Sequence, residues 1–257
     1  TTCAEAILLG EAEVAVAGNA CALVLRVLDP PSEADLQRMR EWEHTHGARL
    51  YLQPGGPATI EPLTPGREPL RYSLPAFDVT IEFEPTDFIQ VNGALNEAMV
   101  SRAIELLDPQ PEEQVLDLFC GLGNFSLPLA RRAGGVVGVE GESGLVSRAV
   151  RNAARQGFAN VSYITADLTA PSMDAPWATR RYQRVLLDPP RAGAREVLPV
   201  VGASGAGRVV YISCHPGSLA RDAGILVRDH GFRLVAAGVM DMFPHTTHVE
   251  AMAVFER

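Results

Sequence analysis

Two different hydrophobic rhythms divide the chain. Up to about residue 87, short apolar or alternating runs (Glu13 to Val16, Cys21 to Val27, Phe77 to Phe83) are separated by Pro/Gly turns such as Pro54-Gly55-Gly56-Pro57 and predict strands. One helical stretch interrupts them, with Ser32 as its N-cap and Asp35 at the capping-box position. From Asn92 the rhythm becomes regular β–α alternation. Strands are predicted at Val115 to Phe119, Val136 to Val139, Val161 to Thr165, Val185 to Leu187 and Val209 to Ser213. Helices are predicted from Asn92 to about Leu107, Phe125 to Arg132, Ser143 to Gln156 with Gly157 as its stop, and Ser218 to His230.

Strands separated by helices at this spacing imply a parallel, doubly wound sheet, a Rossmann-like α/β fold. The last two strands, near Leu234 to Val239 and Val249 to Phe255, have no helix between them and are expected to close the sheet edge as an antiparallel hairpin. The domain organisation expected is a small α+β lobe over residues 1–87, for positioning or scaffolding, and a catalytic domain over 88–257.

Composition agrees with a globular protein: 257 residues, 47% hydrophobic and 21% charged, exclude disordered, collagen-like and coiled-coil classes. The sequence has no apolar run long enough for a membrane helix and no secretion signal at Thr1 to Gly10, so a cytoplasmic location is expected. The chain starts without Met, and Cys3 to Val16 reads as though it begins in mid-strand, which suggests part of a longer protein. Four scattered cysteines, Cys3, Cys21, Cys120 and Cys214, make neither a disulfide framework nor a metal site; an iron–sulfur cluster on Cys3 or Cys21 would need ligands from a longer chain.

The net charge of −9 argues at face value against a nucleic-acid partner, but the charge is uneven. Residues 1–92 hold 6 Arg against 14 acidic residues, whereas residues 93–257 hold 16 against 17, and there is no Lys. Arg180, Arg181, Arg184, Arg191 and Arg195 cluster in sequence beside the Asp188 loop and are expected to form one local positive patch suited to phosphate.

The candidate chemistry gathers at strand ends. After the first strand of the alternating region comes Asp117-Leu118-Phe119-Cys120-Gly121-Leu122-Gly123-Asn124-Phe125, a glycine turn of the kind that lets backbone approach a cofactor. The next strand ends in Glu140, 19 residues after Gly121, suited to ribose hydroxyls. Gly121, Gly123 and Ser126 make an incomplete dinucleotide fingerprint. Asp117 and Asp167 better suit a ligand with a cationic methionine end and an adenine amino group, so S-adenosylmethionine is favoured over a nicotinamide dinucleotide.

Asp188-Pro189-Pro190-Arg191 is a stiff loop presenting one carboxylate, and by itself it would also suit methylation of an exocyclic amine. Cys214 stands at a strand tip before a helix, a placement that favours thiolate; adjacent His215 is expected to be a loop residue. Asp241, His245 and His248 have neither helical nor zinc-finger context, so no metal is expected there. Glu250, at the start of an otherwise apolar strand, is out of place unless it faces a polar cleft.

Together the segments FIQVN from Phe88, DLFCGLGNFSLPLA from Asp117, LLDPPRAGA from Leu186, SCHPGSLARD from Ser213 and DMFPHTTHVE from Asp241 resemble the RNA uracil-C5-methyltransferases, most nearly the bacterial branch acting on 23S ribosomal RNA. The resemblance covers about residues 88–255. It implies a class I methyltransferase fold, S-adenosylmethionine as methyl donor, and a single-stranded or flipped-out uridine in RNA as substrate, with tRNA as the alternative. By motif position it assigns Gln90, Phe119, Gly121, Asn124, Glu140, Asp167 and Asp188 to cofactor and substrate binding, Cys214 as nucleophile and Glu250 as proton-abstracting base. Members usually add an N-terminal RNA-binding β-barrel and often a cysteine-ligated [4Fe-4S] cluster. His215, where Asn is common, and Thr247, where a small residue is common, depart from the pattern.

Overall fold

A computed structural model of the chain describes residues 9–241, 245–246 and 249–257. By contacts the chain divides into two compact units, residues up to Ser73 with Glu82–Val91, and Leu74–Ile81 with Asn92–Arg257. The division thus falls at Val91/Asn92 rather than after residue 87, and a short earlier piece joins the second unit.

In the first unit β1 (Leu9–Val16) and β2 (Cys21–Val27) pair antiparallel, and β3 (Arg49–Gln53) lies parallel to β2 after the crossover α1 (Glu33–His46). β4 (Glu61–Pro62) completes the sheet in the order β1-β2-β3-β4. The capping box forms: Ser32 Oγ accepts from the Asp35 amide at 3.3 Å, and Asp35 Oδ2 accepts from the Ser32 amide at 3.2 Å. Met39, Leu50 and Leu63 make a small core. β5 (Leu70–Leu74) and β6 (Val79–Phe83) pair with each other. The strand expected from Phe77 starts only at Val79, because Pro75–Phe77 turns as a 3-10 helix and Asp78 takes a left-handed φ of 50°.

The second unit is built on seven strands. In chain order come α2 (Gly93–Leu107), β7 (Gln114–Leu118), α3 (Ser126–Ala130), β8 (Gly135–Glu140), α4 (Ser143–Arg155), β9 (Val161–Thr165), α5 (Pro176–Thr179), β10 (Arg184–Leu187), α6 (Leu198–Ala203), β11 (Arg208–Ser213), α7 (Pro216–His230), β12 (Arg233–Met240) and β13 (Glu250–Glu256). The sheet order is β12-β13-β11-β10-β7-β8-β9; β7 to β11 run parallel, and β13 is antiparallel to both neighbours.

Near-continuous apolar strands follow from this layering. Val115, Leu116, Leu118, Val185, Leu186, Leu187, Val209 and Val210 are all fully buried, as strands covered on both faces require. Strand order reverses between β7 and β10, and open α/β sheets bind ligands in the crevice beyond the carboxyl ends at such a point. The two-strand ending has the expected antiparallel form, with β12 at the edge. Among the described residues no helix is long and apolar enough to cross a membrane.

Candidate active site

Because β7 to β11 are parallel, their carboxyl ends share one edge of the sheet, and β13, running the other way, begins there with Glu250. The turn after β7 is shaped by three left-handed residues, Phe119 (φ 64°), Gly121 (φ 53°) and Gly123 (φ 92°). A Cβ built on Gly121 would meet nothing within 4 Å, so this glycine borders open space, whereas one on Gly123 would stand 2.5 Å from the Tyr163 hydroxyl. Glu140, the last residue of β8, accepts from the Gly121 amide at 3.1 Å and the Glu142 amide at 3.0 Å. The acid therefore holds the glycine turn from the neighbouring strand end.

Asp117 lies beneath that turn, wholly buried. Its Oδ2 accepts from the Ser126 hydroxyl, and its Oδ1 has no hydrogen-bond partner among the described residues. Burial, opposed by Ser126 and reinforced by the charges of Asp188 and Glu140, pushes its carboxyl up to about 7. Asn124 exchanges two hydrogen bonds with Asn96 of α2, at 3.0 and 2.9 Å, which orients its amide. Asp167 is exposed beyond β9, and the Thr169 hydroxyl and amide bound to its Oδ1 hold its carboxyl below the ordinary range. Gln90 belongs to the first unit, half-buried in the irregular segment after β6.

Cys214, Asp188 and Glu250 come together. Ser213 and Ala251 are the last pair of the β11–β13 ladder at this end, and Cys214 and Glu250 follow directly beyond it along their two segments, near enough for the charge of Glu250 to act on the thiol. Asp188 follows β10, its amide donating to the Leu118 carbonyl of β7 at 3.3 Å. Burial, then Glu250, pushes Asp188 up to about 7. Burial also raises Glu250, which is 4% exposed, and Cys214, on which Glu250 and Asp188 push further upward while Arg191 opposes them, so these surroundings disfavour the thiolate expected from the place before α7. The edge thus holds a half-buried thiol under the charges of two carboxylates, both raised above the ordinary carboxylate range.

Sequence reading missed several supports of this edge. Tyr163, whose hydroxyl has no partner among the described residues, packs under Gly123 and Gly138, Asn96 holds Asn124, and Ser126, noticed only as a departure from the dinucleotide fingerprint, holds Asp117. None carries a local signal, since each acts through a partner at least nine residues away. His215 is more than the loop residue expected: it is the N-cap of α7, its Nδ1 accepting from the Ser218 amide at 3.1 Å.

The arginine patch needs correction. Arg180, Arg181 and Arg184 stand at the start of β10, the opposite end from Asp188. Arg184 is paired with Glu113 at 3.1 Å and donates to the Leu107 carbonyl, Arg180 donates to Gln114 Oε1, and Arg181 to the Ala203 carbonyl. Exposed Arg191 and Arg195 alone follow the strand on the active edge. Cys3, the suggested cluster ligand, and Thr247 and His248 lie outside the described residues; Cys21 is half-buried at the start of β2.

A parallel sheet with this strand order, an antiparallel final strand, a glycine turn after the first strand and an acid ending the second make the fold that of the class I methyltransferases. The likeness extends to solved structures: a Pyrococcus abyssi tRNA (uracil-54, C5)-methyltransferase in complex with S-adenosyl-L-homocysteine aligns with a TM-score of 0.71 at 24% identity, over 92% of this chain and 56% of its own. TYW2 of M. jannaschii in complex with AdoMet aligns with a TM-score of 0.60 at 15% identity, over 95% of this chain and 100% of its own. The family model described as tRNA (Uracil-5-)-methyltransferase matches residues 67–257, and the chain belongs to that family. Curated relatives are nearer still. The 23S rRNA (uracil(1939)-C(5))-methyltransferase RlmD of Xanthomonas axonopodis pv. citri is 54% identical over 94% of this chain and 55% of its own length, and that of Methylococcus capsulatus 54% over 97% and 56%. The chain thus spans about half the length of the curated relatives it matches.

Proposed function

We propose that this chain is the catalytic part of an enzyme that methylates C5 of a uridine in RNA, with S-adenosylmethionine as donor and 23S ribosomal RNA as substrate. The observation that carries the reading is the thiol of Cys214 within reach of the charges of Glu250 and Asp188 on the sheet edge that also bears the glycine turn. Ribosomal RNA is preferred to tRNA because the relatives at 54% identity are named for 23S rRNA, while the likeness to the tRNA enzyme structure is 24%.

The residues present fit the donor. Gly121 borders open space, Glu140 keeps acceptor capacity beyond its two amide bonds, and Phe119, Asn124 and Asp167 flank the same edge. When bound, S-adenosylmethionine supplies an electrophilic methyl group. Uracil C5 is a weak nucleophile, and Cys214, reacting as the thiolate, remedies this by adding its sulfur to C6, which places electron density on C5 and O4. Asp188, whose carboxyl is pushed up to about 7, holds the pyrimidine edge, able to donate to a carbonyl when protonated and to accept from N3–H when ionised. After C5 is methylated, Glu250 takes the C5 proton, the C5–C6 double bond re-forms and the C6–S bond breaks, returning Cys214 as thiolate. A base stacked in a helix cannot reach these groups, so the target uridine is unpaired or flipped out.

The test uses the intact protein and a 5-fluorouridine-containing 23S rRNA fragment. Fluorine at C5 cannot leave as a proton, so the wild-type enzyme becomes trapped as a denaturation-resistant adduct. Cys214→Ala is expected to bind S-adenosylhomocysteine normally yet give neither adduct nor methyl transfer. Turnover retained by Cys214→Ala overturns covalent catalysis and leaves exocyclic-amine methylation through Asp188-Pro189-Pro190 as the better account.

A further inference from the structure

Asp222 on α7 is fully buried, and nothing in the proposed chemistry calls for it. Its Oδ2 accepts from the Tyr211 hydroxyl at 2.7 Å and from the Ala194 amide at 2.7 Å, and its Oδ1 accepts from Arg221 Nε at 2.8 Å. Arg221 also donates through Nη2 to the Ala192 carbonyl at 2.7 Å. Helix α7 therefore grips the loop after Asp188 at two backbone groups and grips β11 three residues before Cys214.

The grip is close-fitting. Gly193 has a φ of 88°, and a Cβ there would lie 2.4 Å from Arg221 Nη2 and 2.6 Å from Asp222 Oδ2. The loop's other ties are the Asp188 amide on Leu118 and the turn from the Gly193 amide to the Pro190 carbonyl at 2.8 Å. Withdrawing a carboxylate from water costs several kcal/mol unless charged and polar donors replace the solvent. Here three donors do so, and two of the four contacts land on the segment that carries Asp188 and Arg191.

We propose that Asp222, with Arg221, is a positioning residue that locks the Asp188–Ala194 loop against α7 and so fixes where Asp188 and Arg191 stand relative to Cys214. The catalytic consequence rests on the function proposed above, but the placement itself can be measured without RNA. Cys214 faces the charges of Asp188, Glu250 and Arg191, and the Asp188 carboxylate works against its ionisation. Alkylation by iodoacetamide, followed across pH by mass spectrometry of the Cys214 peptide, therefore reads the distance to Asp188.

In the otherwise unchanged protein, Asp188→Asn is expected to lower the alkylation midpoint. In an Asp222→Asn background the same substitution is expected to lower it by less than about half as much, since coupling is lost when the two groups no longer share a fixed geometry. Tyr211→Phe, which removes one donor and keeps the ring, is expected to weaken the coupling less, and it decides the matter should Asp222→Asn fail to fold. An undiminished Asp188→Asn shift in the folded variants, or no shift in the unchanged protein, overturns the clamp. On 5-fluorouridine RNA, Asp222→Asn is expected to slow adduct formation by about 10-fold or more, as a small misplacement of reacting groups does, with S-adenosylhomocysteine affinity preserved. Absence of any adduct in the wild type defeats the proposed function, and the alkylation comparison then judges the clamp alone.

Discussion

In the first unit, Glu43 is 1% exposed, and its carboxylate accepts from the Leu50 amide at 2.6 Å, from the Thr64 hydroxyl and from Arg67 Nη2 at 3.3 Å. At the carboxyl edge of the second unit's sheet, Asp117 and Glu250 are also buried and Asp188 is half-buried, but the charges acting on them are those of other carboxylates, Asp188 and Glu140 on Asp117 and Glu250 on Asp188. Asp117 Oδ1 has no partner among the described residues, and like charges raise Asp117 and Asp188 further after burial. A buried carboxylate ringed by donors and a cation holds structure together. Carboxylates set beside one another with little water between them work against the fold, and such an arrangement marks a place kept for chemistry.

The sharpest way to break that contrast is to neutralise one member of each set. Glu250→Gln keeps the size of the side chain but cannot take the C5 proton. Turnover is expected to fall by about 10³-fold, the scale of a lost general base. Addition and methyl transfer remain possible, so a methylated covalent complex should accumulate on ordinary uridine RNA, visible as a slow-migrating band under denaturing conditions. Normal turnover without that band would take Glu250 out of the mechanism.

Glu43→Ala probes the other side. It strands the Leu50 amide and the Thr64 hydroxyl and leaves Arg67 unpaired, and a loss of about 2 kcal/mol of stability is expected. Denaturant unfolding of the two single variants reads the comparison directly: Glu43→Ala should lower the midpoint, Glu250→Gln should not. A Glu43→Ala protein as stable as the wild type would show that satisfied burial contributes nothing here.

Much of this contrast was legible beforehand, and its limits have a physical cause. Apolar runs identify parallel strands, and a parallel sheet brings all its carboxyl ends to one edge without further information, so Glu140, Asp188 and Cys214 could be placed together by pattern alone. Glu250 betrayed itself as an acid in an apolar strand. Hydrogen-bond partners have no such signature. Asn96 lies 28 residues from Asn124, and Asp222 lies 28 from Ala194, so neither role is visible locally. The short α5 and α6 and the strands β3 to β5 were missed because one or two turns, or two to five residues, leave too little periodicity to read. Proximity in sequence misled outright for the arginines: Arg184 and Arg191 are close along the chain, but β10 runs between them and carries them to opposite ends.

The pH dependence of stability sharpens the comparison at lower cost. Asp117 and Asp188 release their protons near 7 in the folded protein, against about 3.8 when unfolded, so between those values the native state holds more protons. Stability then falls as pH rises through the window from about 4 to 7 and levels off above it. Asp188→Asn removes one of the two groups. It is expected to flatten the decline and to raise the thermal midpoint at pH 8 by a few degrees, the shift that about 1 kcal/mol produces in a chain of this size. A midpoint that climbs steadily from pH 5 to pH 8 in the wild type would contradict the raised values.

The smallest effect expected separates the two halves of the arginine set. Arg191 and Arg195 are exposed on the edge that bears Asp188 and Cys214, whereas Arg181 and Arg184 are engaged with the Ala203 and Leu107 carbonyls and Glu113 at the far end of β10. A phosphate approaching a uridine at Cys214 would meet the first pair and not the second. Each phosphate contact contributes a little under one unit to the salt dependence of binding, so Arg191→Gln and Arg195→Gln should each reduce the slope of log affinity against log salt by about 0.7 to 0.9. Arg181→Gln should leave the slope unchanged. Its loss should appear only in stability, by well under about 1 kcal/mol, because the side chain is exposed and donates to a single carbonyl. Salt titrations of RNA binding by the three variants decide it, and an equal slope change from Arg181→Gln would restore the single continuous patch that the order of residues along the chain suggests.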